Sequence, residues 1–592
     1  MPSFMRTNSP FILAKREGLD MSLFEPIDEP VVLNLDSWSK LTLVEQKVLG
    51  AIFHKHAGQP FSSLLPREQW AIEGLSVAEA KSSFANLRQQ RWIESVYKSW
   101  GERLFYIPAS LMETLTIAYA QRVGITVEKM AQHAHVLQEG KPDLAAELIH
   151  LIAWIGREGL PLTGKGTIHK RMVQKLSAIT VLSATDFDGL GIQYEHSDLY
   201  PTHVAILLDL LLSLNLVQKS DGRIQIVDHR LQKWLKLSWR HMHREIYQAC
   251  MERYGEAEPV LQHFRYQLAV FAPEKNIWCH IENSELTPRV RGWLYALAGW
   301  GYGEVGEDQS GELAFRWLIE PQSLLNRAHE MVSGTEPCGF YIQPDFEMLV
   351  PPDAGPDVIW MLEQCAERVT CDRMSIYRLT RERFISAIAR GYGLHEVMEF
   401  LDQYALTGIP ENVRIALADW GKETDAALLT VNRSLKVMEA STGSADDPKL
   451  LEKDVLSDVY SSFYTPDNQG LVDVPAFLHG LERDHSVIEK KFSLLGFEEI
   501  PETWYREWRR YHSSTARQIA TKAIEWQTKL GIQQENRTQY LIPHQVEGHE
   551  QWTLSGWCML DSNEHTSETE WRTFSPSEWD TMRLILPDDV IT

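Results

Sequence analysis

Apolar residues at Leu43, Val44, Val48, Leu49, Ile52 and Phe53 recur with the spacing of one helical face, which predicts a helix shortly after Trp38. A short helix follows. A third opens at Ser76-Val-Ala-Glu79, where the Ser hydroxyl and the Glu carboxylate each satisfy a backbone N–H that the first turn leaves free. It runs through Phe84, Leu87 and Trp92. The strand-like runs Ile93 to Tyr97 and Arg103 to Ile107 then flank the turn Lys98-Ser-Trp-Gly-Glu102, which predicts a two-stranded ribbon.

Helix, short helix, helix and ribbon is the winged-helix plan, and it covers residues 38–110. Its pattern recurs twice, as expected of an array of similar modules. In 111–235, Ala145 to Gly156 leads to Leu160 to Leu176 and Pro201 to Leu214, with a wing at Val217 to Val227. In 236–335, Phe264 to Phe271 precedes a helix opened by Thr287-Pro288, with Thr as cap and Pro in the first turn. Its wing is Tyr302 to Leu318, around Asp308-Gln-Ser-Gly311.

Ahead of the array, residues 1–37 read as a flexible lead in which Met21 is an alternative start. After it come a compact module over 336–422 and a helical segment over 423–530. That segment has a linker at Ser441 to Pro448 and helical spacing in Leu451 to Tyr464 and in Trp504 to Ile524. A small β-rich tail fills 531–592, with strands at Gln551 to Cys558, Trp571 to Phe574 and Met582 to Leu586. The expected fold class is α+β, mainly α, in several domains.

Three parts of the 336–422 module resemble the accessory domain at the N-terminus of XPB-type DNA helicases. They are an opening strand with a Gln-Pro-Asp turn (Phe340 to Leu349), the block Ser375-Ile-Tyr-Arg-Leu-Thr380, and a helix pair closing in Ile409-Pro-Glu-Asn412 and Trp420. The resemblance implies a module that grips DNA near a junction or docks a partner beside a motor. The motor's own signature is missing. Gly159-Leu-Pro-Leu-Thr-Gly164-Lys165 has phosphate-loop spacing, but Gly166 stands where a Mg²⁺-binding Ser or Thr belongs, and Pro161 stiffens a loop that should wrap phosphate. The chain is therefore expected to be a non-catalytic helicase-associated protein without a cofactor. The tail faintly resembles the small WYL barrel of bacterial regulators through Pro543, Trp552-Thr-Leu554 and Arg572-Thr-Phe574, with Thr553 in place of the tyrosine.

Composition narrows the partners. At a net charge of −23, the 592-residue chain does not coat nucleic acid non-specifically, because such binding needs Lys and Arg to displace counterions, so any DNA contact is local. Residues 38–110 reverse the sign, with nine Lys/Arg against six Asp/Glu. Six cysteines without a Cys-x-x-Cys pair indicate neither a zinc ribbon nor a disulfide framework. The runs Phe11 to Ala14 and Val204 to Val217, the latter broken by Asp209 and Asn215, are too short for a signal peptide or a membrane span. A cytoplasmic protein is expected.

A winged helix reads DNA with its third helix and touches phosphate with its wing. In the first copy that helix is expected to expose Lys81, Ser82, Ser83, Asn86, Arg88, Gln89 and Arg91, with Lys98 and Arg103 on the wing. In the second, His203 to Leu214 is too aliphatic to read DNA and is expected to be buried, while Lys165, His169, Lys170, Arg171 and Lys175 offer charge to a phosphate backbone. The acidic third wing (Glu304, Glu307, Asp308, Glu312) suits a protein interface. No metal is expected at His54/His56, His133/His135 or His241/His243, since residues two apart on a helix diverge. Arg506, Arg509 and Arg510, interleaved with Trp504, Trp508 and Tyr511, suit either base stacking or an amphipathic helix, the second being favoured. The partners are thus DNA or a helicase, transcription or repair protein. The alternative is a pure protein scaffold that touches no nucleic acid.

Overall fold

Thr42 and Glu45 close a reciprocal cap on the first long helix, Leu43–His56, whose Val48, Leu49, Ile52 and Phe53 are buried, while Leu43 stays half exposed at the helix start. The computed structural model describes residues 33–98, 100–120, 126–130, 134–192, 194, 196–254, 259–272, 274–282, 286–325, 339–371, 374–422, 481–483, 492–535, 537–549, 551–559 and 569–591. The lead over 1–32, the linker at 441–448 and the helix expected in Leu451 to Tyr464 lie outside them. The fold is α+β with helices predominating. No helix among the described residues is long and apolar enough to cross a membrane. The chain divides into two compact units.

One unit comprises Met1–Val123, Ala257–Tyr266 and Gln469–Thr592. The helices Leu43–His56, Arg67–Ile72 and Val77–Gln89 are followed by the antiparallel strands Glu94–Lys98 and Arg103–Tyr106. A strand from much later in the chain, Leu481–Arg483, pairs with the outer edge of Glu94–Lys98 and makes the ribbon three-stranded. The C-terminal part is a five-stranded antiparallel sheet whose spatial order is Thr569–Phe574, Thr553–Met559, Arg537–Glu547, Lys529–Gln534, Thr581–Ile585. The helix Ser513–Trp526 buries Ile519, Ala520 and Ala523 in one core with Leu530, Leu541, Leu554 and Leu584 of that sheet. The helix expected from Trp504 to Ile524 is interrupted. After the short Thr503–Arg506 helix the chain extends, and Arg509 bridges Met582 as an added strand partner. Position 530, where a boundary was expected, falls inside the first strand of the sheet.

Two imidazoles, half-buried His56 and buried His263, give this unit a pH dependence. His56 stacks on Phe61, and His263 packs edge-on against Phe53 with Nε2 3.2 Å from the His54 carbonyl oxygen. Burial pushes both rings from 6.5 down to about 4, helped at His56 by the Lys55 charge. The unfolded chain takes up protons below pH 6.5, while the folded unit stays neutral until about 4. Stability from these rings is therefore complete above about pH 6.5 and falls as the pH drops toward 4. Hydrogen-exchange protection factors in Leu43–His56, taken relative to the intrinsic rate at each pH, are expected to fall progressively across that window. Protection independent of pH would show that the rings are solvated.

The other unit comprises Gly124–Glu256 and Gln267–Asn468. Asp143 caps Leu144–Glu158, and Gly159 ends it at φ 69°. The strand Leu160–Pro161, the helices Lys170–Ile179 and Thr202–Ser213 and the hairpin Val217–Ser220/Arg223–Ile226 follow, with Leu160–Pro161 pairing onto Arg223–Ile226. Thr202–Ser213 is buried from His203 to Leu212. Its one acid, Asp209, is held by the Arg253 guanidinium (Nη2 at 2.6 Å) and the Tyr254 hydroxyl at 2.7 Å.

Residues 126–138 depart from their expected place. Thr126–Lys129 and His135–Gln138 were expected with the second copy, yet they pair with Trp278–Glu282 and Gly303–Glu307 as the two edges of a five-stranded sheet completed by Leu313–Trp317. Strand pairing joins segments remote in sequence, so alternation along the chain does not reveal the partner. The helix Pro288–Gly299, capped by Thr287, crosses the Asp188–Leu190 turn so closely that a Cβ on Gly292 would lie 2.2 Å from the Gly189 carbonyl oxygen.

The 336–422 module contains a four-stranded antiparallel sheet in the order Tyr341–Ile342, Glu347–Val350, Ser375–Arg378, Glu367–Thr370. Three helices accompany it: Pro356–Cys365, Arg381–Ala389 capped by Thr380, and Leu394–Tyr404. Residues 411–422 are also helical.

Candidate nucleic-acid interface

Most of the first copy's expected DNA contacts are already engaged inside the protein. Arg88 is half-buried, donates to the Ser95 hydroxyl at 3.1 Å and lies 5.0 Å over the Phe105 ring. Arg103 lies over Tyr97 and Phe105 at 5.6 and 5.7 Å. Lys98 pairs with Glu102 at 3.0 Å and lies over Trp100. The Lys98 and Trp100 hydrogen bonds hold the Glu102 carboxyl below its usual range. Asn86 is half-buried, and Arg91 sits in the left-handed turn after the helix at φ 62°. Ser82 and Ser83, expected on the exposed face, are buried. Ser83 lies three residues after Ala80 and four before Leu87, so it shares their inward face. Lys81 remains exposed and has no ion-pair partner among the described residues.

The N-terminal ends of the second and third helices of this copy meet the C-terminal sheet module. The Ala78 N–H donates to the Gln527 carbonyl at 3.1 Å, and Lys529 pairs with Glu79 at 2.8 Å with both side chains largely buried. Arg67 donates to the Pro543 carbonyl.

In the second copy three of the expected cations have no ion-pair partner among the described residues. Lys165 sits in the turn Thr163-Gly-Lys-Gly-Thr167, and Lys170 and Arg171 open the helix Lys170–Ile179. All three are exposed and without an ion-pair partner among the described residues. The helix start, His169, has no side-chain cap, although the Met172 N–H of the first turn already donates to the His169 carbonyl at 2.8 Å. Lys175, by contrast, pairs with Glu158 at 3.1 Å. The Gly159–Gly166 stretch is closed on itself: Thr163 N donates to Thr167 O at 2.7 Å, Gly166 N to Thr163 O at 2.8 Å and Lys165 N to Thr163 Oγ1 at 3.3 Å. Its N–H groups therefore do not form a phosphate cradle.

A buried polar network fastens this copy to the 336–422 module. Glu363 on Pro356–Cys365 accepts from the Tyr377 hydroxyl at 2.9 Å and from His150 Nδ1 at 2.8 Å, and its main-chain oxygen accepts from Arg157 at 2.5 Å. Burial pushes the Glu363 carboxyl up, but the hydrogen bond and charge of His150, with Arg368 and Arg157, hold it below its usual range. Arg368 meets Glu147 at 2.9 Å; burial works against its charge, and Glu147 and Glu363 outweigh that and raise it. Glu147 also accepts from Val181 N at 3.0 Å.

Within the module, the pieces that carry the helicase resemblance converge on one turn. Gln343 N donates to Glu347 O at 2.8 Å, and Phe346 closes the turn at φ 70°. Asn412 Nδ2 reaches the Pro344 carbonyl at 2.7 Å, and the Trp420 ring stacks on Phe346 at 5.6 Å. The signature residues are thus mutual supports, which explains a likeness carried by pattern.

The paired histidines do not converge. His56 turns to Phe61 while His54 is exposed, His241 bonds Ser238 at 2.8 Å, and His243 meets Asp143 at 3.1 Å. His133 lies outside the described residues. The structure instead brings together His280, Asp308 and Glu312, whose ligand-type atoms lie within 4.8 Å of one another. Sequence reasoning missed this set because His280 comes from a neighbouring strand. His280 already pairs with Glu312, and Asp308 Oδ1 accepts from Ser310 and Glu312 N–H. Trp504 and Tyr511 pack against the C-terminal core, while Arg506 and Arg509 pair with Glu502 and Glu507.

Residues 340–456 match the family model described as the helicase conserved C-terminal domain. No curated protein matches the chain. The stretch built around the Gln343 turn is therefore helicase-related, and such a domain is compatible with nucleic acid or a helicase as partner.

Proposed function

We propose that the protein is a non-enzymatic, DNA-associated or helicase-associated factor of the cytoplasm. Its two clearest helix–helix–ribbon modules act as winged helices, and the helicase-related stretch acts as an accessory domain of the XPB N-terminal type. The observation that carries the reading is the free cationic surface of the second copy. Lys165, Lys170 and Arg171 stand exposed and, among the described residues, unpaired around a helix start without a side-chain cap, in the same unit as the helicase-related stretch. Phosphate is the ligand that such a surface suits, through charge and first-turn N–H groups together. The scaffold alternative draws on the net charge of −23 and on the engaged cations of the first copy. Gel-shift titration of the full chain with duplex, forked and single-stranded DNA separates the two. The expected result is binding whose logarithm falls linearly with the logarithm of salt, by about 0.9 per phosphate contact on duplex. Absence of binding at low salt would leave the scaffold.

A further inference from the structure

The face of the first copy that would meet DNA is occupied by the protein's own C-terminal module, and the groups involved are those a phosphate would use. Helix N-terminal N–H groups and nearby guanidinium groups are the usual donors to phosphate oxygen. Here the Ala78 N–H, in the first turn of Val77–Gln89, donates to the Gln527 carbonyl at 3.1 Å, and Arg67, at the start of Arg67–Ile72, donates to the Pro543 carbonyl. Two backbone carbonyl oxygens thus take the place of phosphate oxygens. Between them, Lys529 meets both carboxylate oxygens of Glu79, at 2.9 and 2.8 Å, with side-chain exposures of 9% and 14%. The outer edge of the wing strand Glu94–Lys98 is covered as well, by Leu481–Arg483.

We propose that the C-terminal module masks the DNA-reading face of the first copy, and that the Lys529–Glu79 ion pair is the latch. The inference rests on the reading of the first copy as a DNA-binding winged helix. In the latched form the second copy's cations supply the DNA contact. Release frees the Ala78 N–H and the Arg67 guanidinium of the first copy, beside Lys81, which is exposed. The latch is suited to release because it is a single ion pair at a module boundary. Reversing one partner sets two carboxylates against each other where water is scarce.

The test is Lys529→Glu in the full chain, with Lys529→Arg, which keeps the charge pair and leaves the Ser76–Glu79 cap intact, as its conservative control. Hydrogen exchange at the Ala78 amide reads the latch, and a gel shift on duplex DNA reads the face. Lys529→Glu is expected to expose Ala78 and to raise duplex affinity about tenfold at low salt. It does so although it makes the protein more acidic, a change that otherwise weakens DNA binding. Lys529→Arg is expected to keep both protection and wild-type affinity, and Lys81→Glu added to Lys529→Glu to remove the gain. An Ala78 amide that stays protected in Lys529→Glu overturns the latch. An exposed amide without a gain in affinity overturns the mask. Either failure, alongside wild-type binding that keeps its salt slope, leaves the proposed DNA association standing; loss of that slope in the wild type removes the association itself.

Discussion

Glu363→Ala is expected to destabilise the unit that holds the helicase-related stretch by about 3–5 kcal/mol, the cost of leaving a buried charge without its partner. The carboxylate is the common acceptor for Tyr377 and His150 and the nearest counter-charge to Arg157, which is 6% exposed. Burial and the Arg383 charge lower Arg157 to about 10, still above neutral pH, so its positive charge remains after the substitution. Denaturant unfolding should show the loss, with faster hydrogen exchange in both Leu144–Glu158 and Pro356–Cys365. A change below about 1 kcal/mol would mean that water reaches the site and solvates the cation. The same carboxylate fixes a direction with pH. Its folded value lies below the ordinary 4.5, so its stabilisation is present above about pH 4.5 and is lost as the pH falls through the folded value.

Replacing Lys165, Lys170 and Arg171 together by Glu is expected to lower low-salt duplex affinity on the order of a hundredfold, and to flatten the salt slope by about 2–3. These side chains are exposed and support no other group among the described residues, so folding stability should move by no more than about 0.5 kcal/mol. That separation makes the result interpretable. By contrast, Arg88 and Arg103 are held against Ser95 and aromatic rings, so losses on their substitution would mix binding with packing. An unchanged slope in the triple variant would remove the second copy as the phosphate-contacting surface.

Local elements were legible because their causes lie within a few residues. The Ser76–Glu79 capping box forms with both hydrogen bonds present, and the Thr287-Pro288 start is where spacing put it. The aliphatic run from His203 to Leu212 is buried, as its composition demands. The site was legible only in part. Lys165, Lys170 and Arg171 are as open as their sequence suggested, whereas Lys98 finds Glu102 and Arg88 finds Ser95 and Phe105 across the ribbon.

By itself, the sequence determined the helix starts, the apolar faces, the acidic balance and the helicase-like pattern around Gln343, since each depends on side-chain chemistry at short spacing. Tertiary structure alone decided which cations are free, which strands complete which sheet, and that Glu363, Arg368 and Glu147 form one buried network. The physical reason is distance along the chain. The buried ion pairs Arg368–Glu147 and Lys529–Glu79, the strand edges and the covering of the Val77–Gln89 start by Gln527 join residues separated by tens to hundreds of positions, and no local periodicity records such a meeting.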